Sequence, residues 1–159
     1  MKINEWSVFA HACFLVQYEE LVAQVLAAQR KYPDAWQKKN VAKRLAVITH
    51  LVTSEIPNDP TRDIYRQGNT LGADHKGWLR AKFYQQYRLF FRYHSGSKTI
   101  LYGWVNGPQS KRAYGSKTDA YKVFERMLEK GNPPNSWNDL LKASVAEDER
   151  FRRLLDDDL

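Results

Sequence analysis

The sequence predicts an α+β domain in which two antiparallel helices lead into an antiparallel sheet and further helices close the chain. Apolar residues recur at helical spacing in two stretches before residue 56. From residue 78 they alternate through three consecutive strand-like runs joined by links of two or three residues. The third observation concerns what the sheet carries: between His75 and Thr118 there are nine lysines and arginines and no aspartate or glutamate.

Trp6 to His11 reads as a short strand. From Phe14 the spacing turns helical, with Phe14, Tyr18, Leu21, Val22, Val25 and Leu26 on one face, and Tyr32-Pro33 ends that helix. Val41, Leu45, Ile48, Leu51 and Val52 form the buried stripe of a second helix, with Lys38, Lys39, Lys43 and Arg44 mostly off it. So short a link makes the two helices antiparallel. Pro57 and Pro60 stop the second one, and a glycine-dotted connector, Gly68 to Gly77, leads into strands over 78–84, 87–94 and 98–106.

Short links make these strands antiparallel hairpins. In the middle one Tyr87, Leu89, Phe91 and Tyr93 form the apolar face, while Arg88, Phe90, Arg92 and His94 point the other way. In the last, Ile100, Tyr102 and Trp104 oppose Leu101, Gly103 and Val105, so both faces are apolar, as in a central strand. A loop from Asn106 to Ser116 holds Lys111, Arg112 and Tyr114. A third helix follows over Thr118 to Lys130, with Tyr121, Phe124 and Leu128 inside and Gly131 ending it. Ser136 is placed to cap a last helix running toward Asp156, Asp157 and Asp158.

With 159 residues, 43% hydrophobic and 27% charged, the chain is expected to be one folded domain. Its core spans about residues 6–131, and about 132–159 form a helical extension. The single cysteine, Cys13, excludes an internal disulfide and is expected to be a buried thiol beside Ala12 and Phe14. No apolar run approaches the roughly 20 residues of a membrane span, and the N-terminus lacks a signal peptide's apolar run. A soluble, cytoplasmic protein without membrane association is expected.

The formal charge of +7 is concentrated: residues 61–130 hold 14 basic and 5 acidic groups, whereas residues 131–159 hold 4 and 7. Such a field attracts nucleic acid or an acidic protein segment. If helices cover one sheet face only, the other presents Arg80, Lys82, Arg88 and Arg92, interleaved with Tyr84 and Phe90 and ending at His94. Cations with exposed rings hold single-stranded RNA by phosphate contacts and base stacking. A merely solvated face would mix both signs. The stretch lacks the carboxylates that hold magnesium, so no metal or other cofactor is expected. His11 at a helix start is either a cap or a functional residue.

Trp78–Phe83 (WLRAKF), Tyr87–Tyr93 (YRLFFRY) and Ile100–Val105 (ILYGWV) resemble the core of the RelE/ParE superfamily of bacterial toxins. Trp6–Phe14 (WSVFAHACF) and Tyr114–Tyr121 (YGSKTDAY) narrow the resemblance to its YhaV family, over about Trp6 to Trp137. The resemblance implies a RelE/ParE-like fold and the toxin of a type II toxin–antitoxin system. It implies a metal-independent, ribosome-dependent mRNA endoribonuclease that inhibits translation and growth. Its implied partner is a PrlF-type antitoxin with an AbrB-like DNA-binding part, and operator DNA would be bound only through that complex. Two other readings stay open: a non-catalytic, ParE-like inhibitor of DNA gyrase, and a plain RNA-binding module.

By the same resemblance Arg88 matches the arginine of the superfamily's strand motif, implying phosphate binding and transition-state stabilisation. Arg80 and Lys82 match basic residues of the preceding strand, and Lys82 can act as base if neighbouring cations depress its pKa. The basic residue after the last strand matches either Arg112 or Lys117, and the later tyrosine either Tyr114 or Tyr121. Arg92, Tyr84, Phe90, His94 and Lys111 are expected to hold RNA beside them.

Overall fold

The computed structural model describes residues 1–158, with side chains through Asp156, so the outer part of the acidic end lies outside the described residues. The fold is α+β. Five strands form one sheet in the order β1-β2-β5-β4-β3, namely Lys2–Ile3, Trp6–Ala10, Leu79–Phe83, Tyr87–His94 and Thr99–Val105 for β1 to β5. The last three are the expected antiparallel hairpins, and β5 is central and buried throughout.

Two features of the sheet depart from the sequence reading. The expected first strand is present as β2, but a further strand, β1, precedes it, with only two residues and so too short to show alternation. The sheet is mixed, since β2 lies parallel to β5, with Val8 opposite Ile100 and Ala10 opposite Tyr102. A parallel neighbour needs a long crossover, and the whole stretch from α1 through β4 lies between the two strands.

Helix α1 spans Ala12–Lys31 and buries Phe14, Leu15, Tyr18, Leu21 and Val25. Its start is fixed by His11, whose Nδ1 accepts the Cys13 N–H at 3.0 Å, so the cap reading is the observed one. Helix α2, Asn40–His50, is followed by one widened turn, Leu51–Glu55, and the single turn α3, Ile56–Asn58. In the widened turn the Ile56 N–H reaches back five residues to the Leu51 carbonyl. The Val52 carbonyl would then look to residue 57, a proline with no N–H to give. The buried Tyr102 hydroxyl donates to it instead, at 2.8 Å. Arg44, which apolar spacing puts off the stripe, is buried, with its guanidinium over the Tyr87 ring at 5.2 Å.

Both sheet faces are covered, which corrects the expectation of one open cationic face. Against α1 and α2 lie Leu89, Phe91, Ile100, Tyr102 and Val105, joined by Phe151 and Leu155 of helix α6, Asp148–Asp158. Helices α4, Ala120–Glu129, and α5, Trp137–Val145, contribute Tyr121, Phe124, Leu128 and Leu140 to the other face, packed with Trp78, Phe90, Leu101 and Trp104. Phe124 stacks on Phe90 at 4.3 Å, so Phe90 is wholly buried and presents no face to a base.

The alternation along β5 also breaks. Phe90 pairs with Trp104 but Phe91 with Tyr102, so Gly103 is passed over in a bulge. Trp104 therefore joins Leu101 on the α4 side and Val105 the α1 side, the reverse of regular alternation. Glycine is required there, because a Cβ would sit 2.5 and 2.6 Å from ring carbons of Trp78. The C-terminal segment is two helices rather than one, and the Ser136 hydroxyl does cap the first, accepting the Asp139 N–H at 3.5 Å. Among the described residues no helix is long and apolar enough to cross a membrane.

Tyr102→Phe should leave the buried Val52 carbonyl unsatisfied and cost about 1–3 kcal/mol, read as a lower urea midpoint at unchanged slope. Burial lowers the His11 pKa against an opposing pull from Glu147. The folded state thus binds that proton more weakly than the unfolded chain, so stability falls as pH drops below about 6.5. His11→Asn keeps a capping oxygen and should flatten this acid-side slope, measured by urea titration from about pH 7 to about pH 5.

Candidate active site

The hairpin register places Lys82 opposite Arg88 and Arg80 opposite Phe90, so all three basic residues project on the α4 side of the sheet. Asp119 caps α4, and the helix's first turn brings Tyr121 over them. The Tyr121 hydroxyl accepts from Arg80 Nε at 3.0 Å and from Arg88 Nε at 3.1 Å. Arg80 Nη1 donates to the Ile64 carbonyl at 2.8 Å, and Arg88 Nη1 to the carbonyls of Gln85 and Tyr87 at 2.8 and 2.9 Å.

Both arginines are nearly buried, at 9% and 7% exposure. Among the described residues no carboxylate lies within ion-pair distance of either. Their Nη2 groups have no partner among the described residues and are not sealed from solvent. A cation removed from water and held only by neutral oxygens is destabilising by itself, and an anion arriving at Nη2 relieves it.

The loop after β5 brings a third guanidinium. Arg112 stacks over the Tyr121 ring at 5.0 Å and donates through Nη1 to Asp119 at 2.6 Å. Asp119, the acid that bounds the acid-free stretch, is 2% exposed; its Oδ1 also takes the Ala113 N–H at 2.6 Å, and its Oδ2 the Tyr121 N–H at 3.0 Å. Asn106 joins loop to sheet: its Oδ1 accepts the Arg88 N–H at 2.7 Å, while its Nδ2 donates to Gln86 and Ser110 carbonyls at 3.1 and 2.9 Å. Neither Asn106 nor Asp119 was singled out by sequence reasoning. Asp119 carried a readable signal, an N-cap residue just before the periodic run of α4.

The other expected site residues divide among different places. Lys82 is exposed beside Arg88. Tyr114 is 94% exposed with Arg112 over its ring at 5.5 Å. Lys117 is exposed, and its carbonyl accepts from Arg126 at 2.8 Å, so of the two basic candidates only Arg112 joins the cluster. Tyr84 lies in the β3–β4 turn and, with Lys111, lines a pocket against α2. Arg92 belongs to another group, held between the rings of Trp78 and Trp137 at 5.7 Å each and donating to the Asn135 carbonyl. Burial lowers its pKa. His94 sits there too, its ring 5.8 Å from Trp137 and its Nδ1 accepting the Ser97 N–H at 3.1 Å. Cys13 donates to Asn132 Oδ1 at 3.3 Å, and burial pushes its thiol up to about 11, so it stays protonated at neutral pH.

Residues 8–145 match the family profile described as "Toxin with endonuclease activity, of toxin-antitoxin system". The chain belongs to the YhaV toxin family. The Toxin YhaV of Escherichia coli O6:H1 is 43% identical over 141 residues, covering 87% of this chain and 92% of that protein. The Ribonuclease toxin YhaV of Escherichia coli K12 is 41% identical over 143 residues, covering 89% and 93%. The Toxin YhaV of Escherichia coli O157:H7 gives the same identity and coverage. No solved structure gives a significant match. YhaV family membership makes an endonuclease of this chain, and Arg80 and Arg88, joined by Tyr121, are two nearly buried cations with no acidic partner among the described residues.

Tyr121→Phe should strand two buried Nε–H donors and destabilise the fold by about 2 kcal/mol or more, read by urea unfolding. Added inorganic phosphate should recover part of that loss by binding the freed guanidiniums.

Proposed function

We propose that the chain is a type II toxin that cuts mRNA on translating ribosomes, and that the Arg80–Arg88–Arg112 cluster is the cleavage site. The observation that supports this reading is the pair of buried guanidiniums tied by one phenol and lacking a carboxylate. In the reaction the ribose 2′-oxygen bonds to the adjacent phosphorus and the bond to the 5′-oxygen breaks. A cyclic phosphate forms, the 2′ proton passes to a base, and the 5′-oxygen leaves as it takes a proton from water.

Arg80 and Arg88 offer their free Nη2 groups to the non-bridging oxygens, where negative charge grows in the transition state. Tyr121 is a positioning residue, fixing both guanidiniums before substrate arrives. Arg112 flanks the same phosphate, held by Asp119, and Tyr114 stacks on a neighbouring base. Lys82, opposite Arg88 and open to solvent, is the residue assigned as base for the 2′ proton.

The wider assignment follows the family. The helices and hairpins form a RelE/ParE-like arrangement in one domain. Its partner is a PrlF-type antitoxin with an AbrB-like DNA-binding part, whose acidic segment covers the basic site. Operator DNA is bound through the complex, and the toxin works in the cytoplasm.

Arg88→Ala, checked for folding by circular dichroism, should lower cleavage of ribosome-bound mRNA by about 100-fold or more and abolish growth arrest. A folded Arg88→Ala protein that cleaves and arrests growth like the parent would sink the assignment.

A further inference from the structure

On the other side of the β3–β4 hairpin lies a pocket of about 340 Å³, lined by Asn40, Lys43, Arg44, Tyr84, Tyr87 and Lys111. It holds three cations and two phenol rings, with no acid among the lining residues. Arg44 is only 8% exposed; beyond its stack on Tyr87 its guanidinium has no hydrogen bond or ion pair among the described residues. Glu20 lines a smaller pocket on another side of Arg44 without coming within ion-pair distance. A nearly buried guanidinium open to an acid-free pocket is suited to a phosphate.

The backbone reinforces this. Asn40 begins α2, whose N-cap, Lys39, makes no side-chain capping bond, and whose first turn has no acidic residue. The free N–H groups and the positive end of the helix dipole favour an anion, and Lys43 and Arg44 beside them deepen that preference. Tyr84 adds a ring that is half exposed at a φ of 45°, where Asn or Gly would sit without strain. Lys111 lines this pocket, while the next residue, Arg112, turns to Tyr121. The hairpin end therefore stands between two cationic sites fed by consecutive residues of one loop.

We propose that this pocket is a second nucleotide site for the same RNA strand, holding a nucleotide adjacent to the cleaved phosphate. Tyr84 stacks on its base, and Arg44, Lys43, Lys111 and the α2 N-terminus take its phosphate. The inference rests on the cleavage site being at Arg88.

The test uses a fluorescein-labelled single-stranded oligonucleotide with 2′-O-methyl riboses, which cannot be cut, and follows binding by anisotropy over a range of salt. Lys43 and Lys111 are exposed, so Lys43→Ala/Lys111→Ala should fold normally. Loss of both lysines from that phosphate should weaken binding about tenfold and lower the salt slope by about 0.7, the share of one phosphate on a single strand. Tyr84→Ala should weaken binding with the salt slope unchanged. Unchanged affinity and slope in the double variant would overturn the proposal. So would a double variant that keeps the oligonucleotide but loses an acidic peptide, which would assign the pocket to a protein partner. Arg88→Ala run in parallel separates the two readings: if it still cuts RNA, the cleavage assignment fails while the oligonucleotide result still reports on the pocket.

Discussion

Two guanidiniums taken out of water without a carboxylate constrain everything around them. Arg80 and Arg88 are held by a phenol from α4, the Ile64 carbonyl from the stretch between α3 and β3 and two carbonyls from the β3–β4 hairpin, four oxygens from three separate segments. None of these segments holds the others in place by polar contacts alone. Apolar packing does so: the rings of Phe90, Trp104 and Phe124 lie nearly parallel, and Trp78 meets Phe124 edge-on at 5.0 Å. Aromatic burial of this kind contributes enough to offset a destabilising polar arrangement nearby. The core beneath α4 is thus what allows the charged site to exist.

Charge placement is equally selective. The single carboxylate of the cluster, Asp119, is committed to Arg112, a loop backbone amide and the start of α4. It fixes the loop without reaching Arg80 or Arg88. The acid-free stretch therefore ends at a residue with a structural task, and the surplus positive charge stays on the two guanidiniums that lack an acid.

Elements with strictly local signals were legible in the sequence: α1, the β3–β4–β5 hairpins and the Ser136 cap follow from spacing and short links. The parallel pairing of β2 with β5 was not, because it joins residues over ninety positions apart and leaves no periodic trace. Trp104 was placed on the wrong face because alternation was counted straight through the Gly103 bulge. Arg80 and Arg88 were found by their alternation in an acid-free stretch, whereas their common contact with Tyr121 depends on how α4 docks. Arg44 escaped notice because helical spacing ranks residues by hydropathy, and a buried arginine over a tyrosine ring looks like any exposed one.

Asn106 carries a consequence for the kinetics of binding. One side-chain amide ties the backbone of Arg88 to Gln86 and to Ser110 at the start of the loop bearing Lys111 and Arg112. That loop behaves as an extension of the sheet and not as a flap. A polyanion arriving at this surface meets cations whose positions were settled during folding, so little ordering entropy remains to oppose it.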